Sequence, residues 1–377
     1  MKEPTALPGS DTRTALEIKA APARRSWADY FRHWEWMLVA LLVAVSLLNT
    51  RLSPYFLNAK NLSRTSSDFM ELGLMMLPMV FIIITGNIDL SVASNLGMSA
   101  SLMGLLFNSG VNIWLAALAA LGLGTLGGLL NGYLVARVKL PALVVTLGTY
   151  AFYRGIAYGL LGDKAATNYP PQFVYLGQGL LPGTLVPFSV GLFVVLAVIF
   201  GLVLHRTAFG RYLFVIGNNQ EAAIYAGVSV SRIKIVIFGL SGLMSALAGL
   251  ILAARFGSTR PDIGTGLELT VITAAVLGGV DINGGTGSML GAVMSLTLIG
   301  LIRFGMGLVN IQGQVQGIVI GLLLICSILF PNLAGQFSGK RQALQRRSLL
   351  YALGVVVLIA LFIAFFFWSR IPIISSI

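Results

Sequence analysis

Charge is scarce in this chain. Of 377 residues only 10% are Asp, Glu, Lys or Arg, where soluble domains carry about 25%, so an ordinary water-solvated domain is excluded. Cysteine is nearly absent. The single Cys326 rules out a disulfide framework and any multi-cysteine metal cluster. Two histidines, His33 and His205, leave no material for a metal site or a Cys–His catalytic pair. The nearest approach to a phosphate loop, Gly335-Gln336-Phe337-Ser338-Gly339-Lys340-Arg341, has Ala334 where the first glycine belongs and Arg341 where Ser or Thr belongs. The chain is therefore expected to bind no cofactor and to hydrolyse no ATP itself. What is abundant is apolar: 56% hydrophobic residues, 44 glycines and a mean hydropathy of +0.87. Glycine at this level suits helices that pack closely in lipid.

A span needs roughly 20 apolar residues to cross the hydrocarbon core. Cut by that rule, the sequence predicts an all-α integral membrane protein with spans near 34–50, 69–86, 91–108, 112–136, 141–162, 187–205, 235–254, 270–283, 288–308 and 312–330. These are about ten core transmembrane helices, and one extra C-terminal helix follows at 349–369. The 270–283 segment is short enough to be broken or re-entrant. Residues 1–33 are polar and read as a disordered cytoplasmic tail. The core domain is 34–332, a basic cytoplasmic segment covers 333–348, and the additional helix fills 349–370. The net charge of +12 has a membrane explanation. Most Lys and Arg fall in the tail, at 137–139, in 205–234 and in 339–348, which the positive-inside rule assigns to the cytoplasm together with the N-terminus.

Two segments echo each other. Gly86-Asn87-Ile88-Asp89-Leu90 and Gly278-Gly279-Val280-Asp281-Ile282 share a Gly-x-aliphatic-Asp-aliphatic pattern, each after an apolar run. The pattern predicts broken helices near Asp89 and Asp281, with Ser91 and Asn283 beside them, as in transporters whose helices break along a cavity. An acid in the bilayer costs several kcal/mol unless it faces a cavity or a partner. Each Asp could therefore bond solute hydroxyls on a translocation path, or cap the next helix through its backbone N–H groups; capping is the favoured reading. Arg154 and Arg303 are expected to snorkel to the interface, with Glu71 and Glu268 the other charges in or beside spans. Gly124, Gly128 and Gly132, and likewise Gly313, Gly317 and Gly321, form small-residue ridges expected to pack helices.

The longest inner segment, 205–234, carries Glu221-Ala222-Ala223 with Gly227 four positions on, and also Arg211 and Gly217-Asn218-Asn219. Ala-Ala beside a charge favours a short helix with a small face, and Gly227 permits a turn at its end. Such a helix can lie in a groove on a soluble partner.

Several stretches, in order over about 34–332, resemble the permease subunits of the ribose/xylose/arabinose-type ABC importers. They are Gly86-Asn87-Ile88-Asp89-Leu90-Ser91, Asn131-Gly132, Leu140 to Thr149, Thr207-Ala208-Phe209-Gly210-Arg211 with Gly217 to Ala223, and Ile272 to Gly279 running into Gly284-Gly285-Thr286-Gly287. The Arg255–Gly291 region looks most like the rhamnose and autoinducer-2 permeases. The resemblance implies a pair of permeases, identical or paralogous, in a bacterial inner membrane. It also implies two cytoplasmic ATPase subunits that hydrolyse the ATP, and a periplasmic sugar-binding protein. Docking on the ATPase would fall on Arg211, Glu221, Ala222, Ala223 and Gly227. Two departures stand out: Ser91-Val92-Ala93-Ser94 replaces the family's glycine after the GIDLS-type motif, and the eleventh span follows where the family pattern ends. An ion-coupled secondary transporter, with Asp89 and Asp281 as its coupling site, is the alternative from a different class.

Overall fold

The computed structural model describes residues 34–336. The readings for 1–33, 337–348 and 349–370 lie outside the described residues. Among the described residues there are fourteen helices and one two-residue strand pair, so the chain is an all-α membrane protein.

The chain begins with α1 (Trp34–Leu52), then α2 (Ala59–Ser67) and α3 (Met70–Ile84), which meet at a 50° bend. Asn58 starts α2 by accepting from the N–H groups of Lys60 and Asn61. All fifteen residues of α3 are buried; a helix apolar on every side belongs at the centre of a bundle. Next come α4 (Val92–Asn108), α5 (Ile113–Ala136) and α6 (Ala142–Leu161). After β1 (Ala166–Thr167) and the short α7 (Pro171–Gln178) come α8 (Phe188–Arg206), α9 (Ala208–Asn218), α10 (Gln220–Tyr225) and α11 (Val230–Phe256). Then β2 (Ser258–Thr259) pairs antiparallel with β1 and precedes α12 (Leu267–Leu277), α13 (Met289–Leu308) and α14 (Gly313–Gln336). The domain boundary expected at 332 falls inside α14.

Each of the ten expected core spans contains a helix, but fewer pass a strict membrane-crossing test. Five helices (α1, α5, α8, α11 and α13) are long and apolar enough, and the bent α2–α3 pair makes a sixth. The shortfall has physical causes. Ser94, Asn95, Ser99 and Ser101 make α4 polar, which it tolerates because all four are buried against protein. Arg154 interrupts α6. And α12 has only 11 residues, because the chain before it does not stay at the bundle's end. From Thr259, near Gly104, it descends along α4 to Ile263 and Gly264, which lie against Gly97 and Leu96.

Arg154 explains how that descent is held. Its guanidinium donates to the carbonyls of Pro261 (2.6 Å), Ile263 (3.0 Å) and Ala93 (3.2 Å). It does not snorkel; it turns inward and satisfies backbone carbonyls that an irregular segment at membrane depth would otherwise leave bare.

The first glycine ridge packs as expected. A Cβ on Gly124, Gly128 or Gly132 would collide with Ala246, with the Phe238 carbonyl and Gly242, or with Ile235, all on α11. The second ridge does not: Gly313, Gly317 and Gly321 face open space among the described residues. Gly128→Val should therefore destabilise the bundle by ~3 kcal/mol, since the obstruction is backbone on both sides and cannot rotate away. Gly122→Val, on the same helix with nothing within 4 Å, should be neutral. Thermal stability of the detergent-purified pair checks this; equal stability would contradict the α5–α11 contact.

Candidate functional site

Two loops, 85–91 and 278–288, converge with the C-terminal end of α9 at Gly217 to Asn219. The Gly285 N–H donates to the Ile84 carbonyl at 2.8 Å, and Asn218 Nδ2 donates to the Gly285 carbonyl at 3.3 Å. Gly285 has φ +80, a left-handed conformation that L side chains rarely adopt. Gly217 sits so tightly that a Cβ there would collide with the Ile84 carbonyl and the Gly285 nitrogen. The two echoing Gly-x-aliphatic-Asp segments are thus neighbours, clasped together beside the end of α9.

From this clasp the chain enters α10. Asn219 caps it, accepting from the Ala222 N–H at 2.9 Å. It ends in a Schellman motif: Val228 N–H donates to the Ala223 carbonyl and Gly227 N–H to the Ile224 carbonyl, with Gly227 at φ +81. Ala223 is buried and is the small face that lets α10 lie flat, while Lys234 Nζ on α11 grips Gln220 Oε1 at 2.8 Å. Arg211, Glu221, Ala222 and Gly227 are exposed. So are Ile224 and Tyr225, the latter 90% exposed. An apolar pair displayed on a charged, capped helix outside the apolar core is an unpartnered surface. The Glu-Ala-Ala…Gly pattern spans Ile224 and Tyr225 without marking them, although this bulky apolar pair was readable between Ala223 and Gly227.

Asp89 and Asp281 part company. Asp89 is buried, with Oδ1 accepting from the Ser91 N–H (2.9 Å) and hydroxyl (2.6 Å) and Oδ2 from the Ser241 hydroxyl on α11 (2.8 Å). Ser91 is the residue from which α4 starts. Asn131 Nδ2 donates to Ser91 Oγ at 2.8 Å, and the Tyr153 hydroxyl donates to the Gly127 carbonyl at 2.8 Å, close to Asn131. Asp89 thus ties the start of α4 to α5, α6 and α11. Asp281 is exposed, and among the described residues its carboxylate accepts from the N–H and side-chain amide of Asn283 alone (2.9 and 3.1 Å). The cap of α13 is Ser288, whose Oγ accepts from the Gly291 N–H. Contrary to expectation, Asp281 does not cap the next helix, which begins at Met289 with Ser288 as its cap.

A second polar feature lies where α3, the last turn of α11 and the descending segment meet. Arg255 donates Nε–H to Glu71 Oε1 (2.8 Å) and Nη1–H to Asp68 Oδ1 (2.7 Å). Its guanidinium also sits 4.8 Å from the Phe256 ring centre. These residues line a cleft of about 370 Å³, shared with Arg260, Asp262 and Arg303. Arg303 too has turned inward, donating to Thr270 Oγ1 at 3.3 Å. Among the described residues no His, Cys, Asp and Glu side chains gather as a group of three or more placed to hold a metal ion.

Residues 61–328 match the family described as "branched-chain amino acid transport system / permease component". The chain belongs to that permease family. It is similar to the autoinducer 2 import system permease protein LsrD of Klebsiella pneumoniae, with 39% identity over 308 residues, 80% of this chain and 92% of that protein. The LsrD proteins of Enterobacter sp. (37%, covering 80% and 94%) and Escherichia coli K12 (35%, covering 84% and 97%) are also similar. No solved structure matches the chain.

These relatives bear out the resemblance carried by the motifs, down to its autoinducer-2 branch. The permease is a multi-pass membrane transport subunit. Its family match ends at 328, so the descending segment, the clasp and α10 all fall within the shared core. What motif reading missed in the permease is the cleft. Arg255 stands 184 residues from Glu71 and 187 from Asp68, and no local spacing signals that its guanidinium joins the two acids.

Proposed function

We propose that this chain is the membrane-spanning subunit of a binding-protein-dependent ABC importer. It would carry autoinducer 2 or a related sugar-like solute, such as rhamnose, a pentose or a hexose, into the cytoplasm. The observation that carries this reading is the 39% identity to LsrD across 92% of that protein's length. The chain would sit in a bacterial inner membrane with its N-terminus, the 1–33 tail and the basic 333–348 segment cytoplasmic. Ten core spans would form the 34–332 domain, with an eleventh near 349–370. A second permease copy or paralogue would complete the pathway, and a periplasmic binding protein would deliver the solute.

ATP would be hydrolysed by a separate cytoplasmic subunit docked on Arg211, Glu221, Ala222 and Gly227, while Ala223, expected to share in docking, is buried and instead seats α10 against the bundle. The exposed Ile224 and Tyr225 beside them support that assignment, because an apolar pair on a charged helix fits a groove on a soluble partner. Closing two ATPases would draw the α10 helices together. Gly217 would then pass the motion to the clasped ends of α3 and the 278–288 loop, opening the path alternately to each side. Asp89 and Ser91 would hold the start of α4 rigid while this happens, and Asp281 with Asn283 would shape the loop that Gly217 presses on.

Glu221→Lys tests the docking assignment. It leaves Ala223 and the Schellman turn in place but reverses the exposed charge. Uptake of labelled sugar into proteoliposomes containing the permease, ATPase and binding protein should fall at least about tenfold, a loss of ~1.4 kcal/mol or more in coupling. Unchanged uptake with Glu221→Lys would place docking elsewhere.

A further inference from the structure

The cleft beside Arg255 has a composition that neither docking nor helix packing requires. Three carboxylates (Asp68, Glu71, Asp262) and three guanidiniums (Arg255, Arg260, Arg303) line it, together with the half-exposed ring of Phe256. Their formal charges cancel. An anion would meet the paired carboxylates and a cation the guanidiniums, so neither is favoured. A neutral molecule rich in hydroxyls suits both, since each hydroxyl donates to a carboxylate and accepts from a guanidinium. Such a molecule also has a C–H face that can lie on an aromatic ring.

Size agrees. A cleft of about 370 Å³ stands at the small end of ligand sites, too small for a peptide and ample for a monosaccharide. Hydrogen-bonding capacity is also left over. Arg303 lines the cleft, and among the described residues its guanidinium makes one side-chain hydrogen bond, from Nη2 to Thr270 Oγ1, which leaves further N–H donors of the fork for a solute hydroxyl. Position agrees as well. Arg255, Asp262 and Thr265 flank the descending segment, at the opposite end of α11 from the α10 docking helix.

We propose that this cleft is a solute-binding site of the permease itself, selective for neutral polyhydroxylated molecules of monosaccharide size, with Arg303 the principal free donor and Phe256 the stacking face. The proposal rests on the importer reading for its place in transport but makes a binding claim of its own.

The test uses Thr265→Cys, which puts a thiol on an exposed lining position, in a Cys326→Ser background. The full chain is reconstituted with its ATPase and binding protein, and a membrane-impermeant maleimide is added with or without millimolar rhamnose or xylose. Either sugar should slow labelling several-fold, whereas glucuronate and glucosamine should not. Arg303→Gln should weaken the protection about tenfold, as expected for losing a hydrogen bond to a charged group, while the complex still elutes as one species. Arg303→Lys should restore part of it. Labelling that ignores every neutral sugar, or protection unaffected by Arg303→Gln, would overturn the site. ATP dependence of uptake, measured on the same vesicles, separates the two claims. Protection without ATP-driven uptake would contradict the importer reading and leave the cleft supported; ATP-driven uptake without protection would do the reverse.

Discussion

Gly217→Val is expected to reduce ATP-driven uptake by at least about tenfold while the ATPase remains bound. At Gly217 the end of α9 touches backbone on both sides, the Ile84 carbonyl and the Gly285 nitrogen. Neither can rotate out of the way, so a valine must push α9 off the clasp or open the Gly285–Ile84 hydrogen bond; overpacking of this kind costs about 1–3 kcal/mol. The docking surface of α10, held by its own Asn219 cap and Schellman turn, should survive. Binding and transport are thereby separated. Co-purification of the ATPase together with sugar uptake in vesicles checks it. Normal uptake by Gly217→Val would mean that the clasp carries no motion.

The second large effect is at Asp89. Asp89→Ala should lower the stability of the bundle by ~3 kcal/mol or more, because it strands the Ser91 N–H and the hydroxyls of Ser91 and Ser241 in a buried site. Asp89→Asn should retain most transport. Its amide oxygen can still accept from Ser91, and its –NH₂ can donate to Ser241 Oγ. Yield and uptake of the two variants distinguish structure from chemistry. A carboxylate that carried protons would be lost equally in both, whereas one that holds the start of α4 is spared by Asn. Asp89→Asn assembling normally but failing to transport would reject the structural role.

Some of this was legible in the chain and some was not, for reasons that differ by residue. Helices could be placed because apolar runs and their polar breaks are local. The turn at Gly227 was legible for the same reason, since a glycine four residues after Ala223 favours a helix end there. Gly124, Gly128 and Gly132 announced a close packing face by spacing alone. The same spacing at Gly313, Gly317 and Gly321 pointed equally to a face, yet none packs against the described residues; a ridge says that something can approach closely, not what does. Asp89 and Asp281 look alike as local patterns and differ in three dimensions, because only Asp89 meets a helix, α11, from the other half of the chain. The arginines were misread for want of long-range geometry. Nothing near Arg154 or Arg303 shows that a loop 100 residues later descends to meet the first, or that a cleft opens beside the second.

The measurement closest to the central claim is uptake of labelled rhamnose, xylose and autoinducer 2 into proteoliposomes holding the permease, its ATPase and the binding protein, with and without internal ATP. The account predicts uptake of at least one of these solutes that requires ATP and the binding protein and is lost with Glu221→Lys. Uptake that proceeds without ATP and follows an imposed proton or sodium gradient would contradict it.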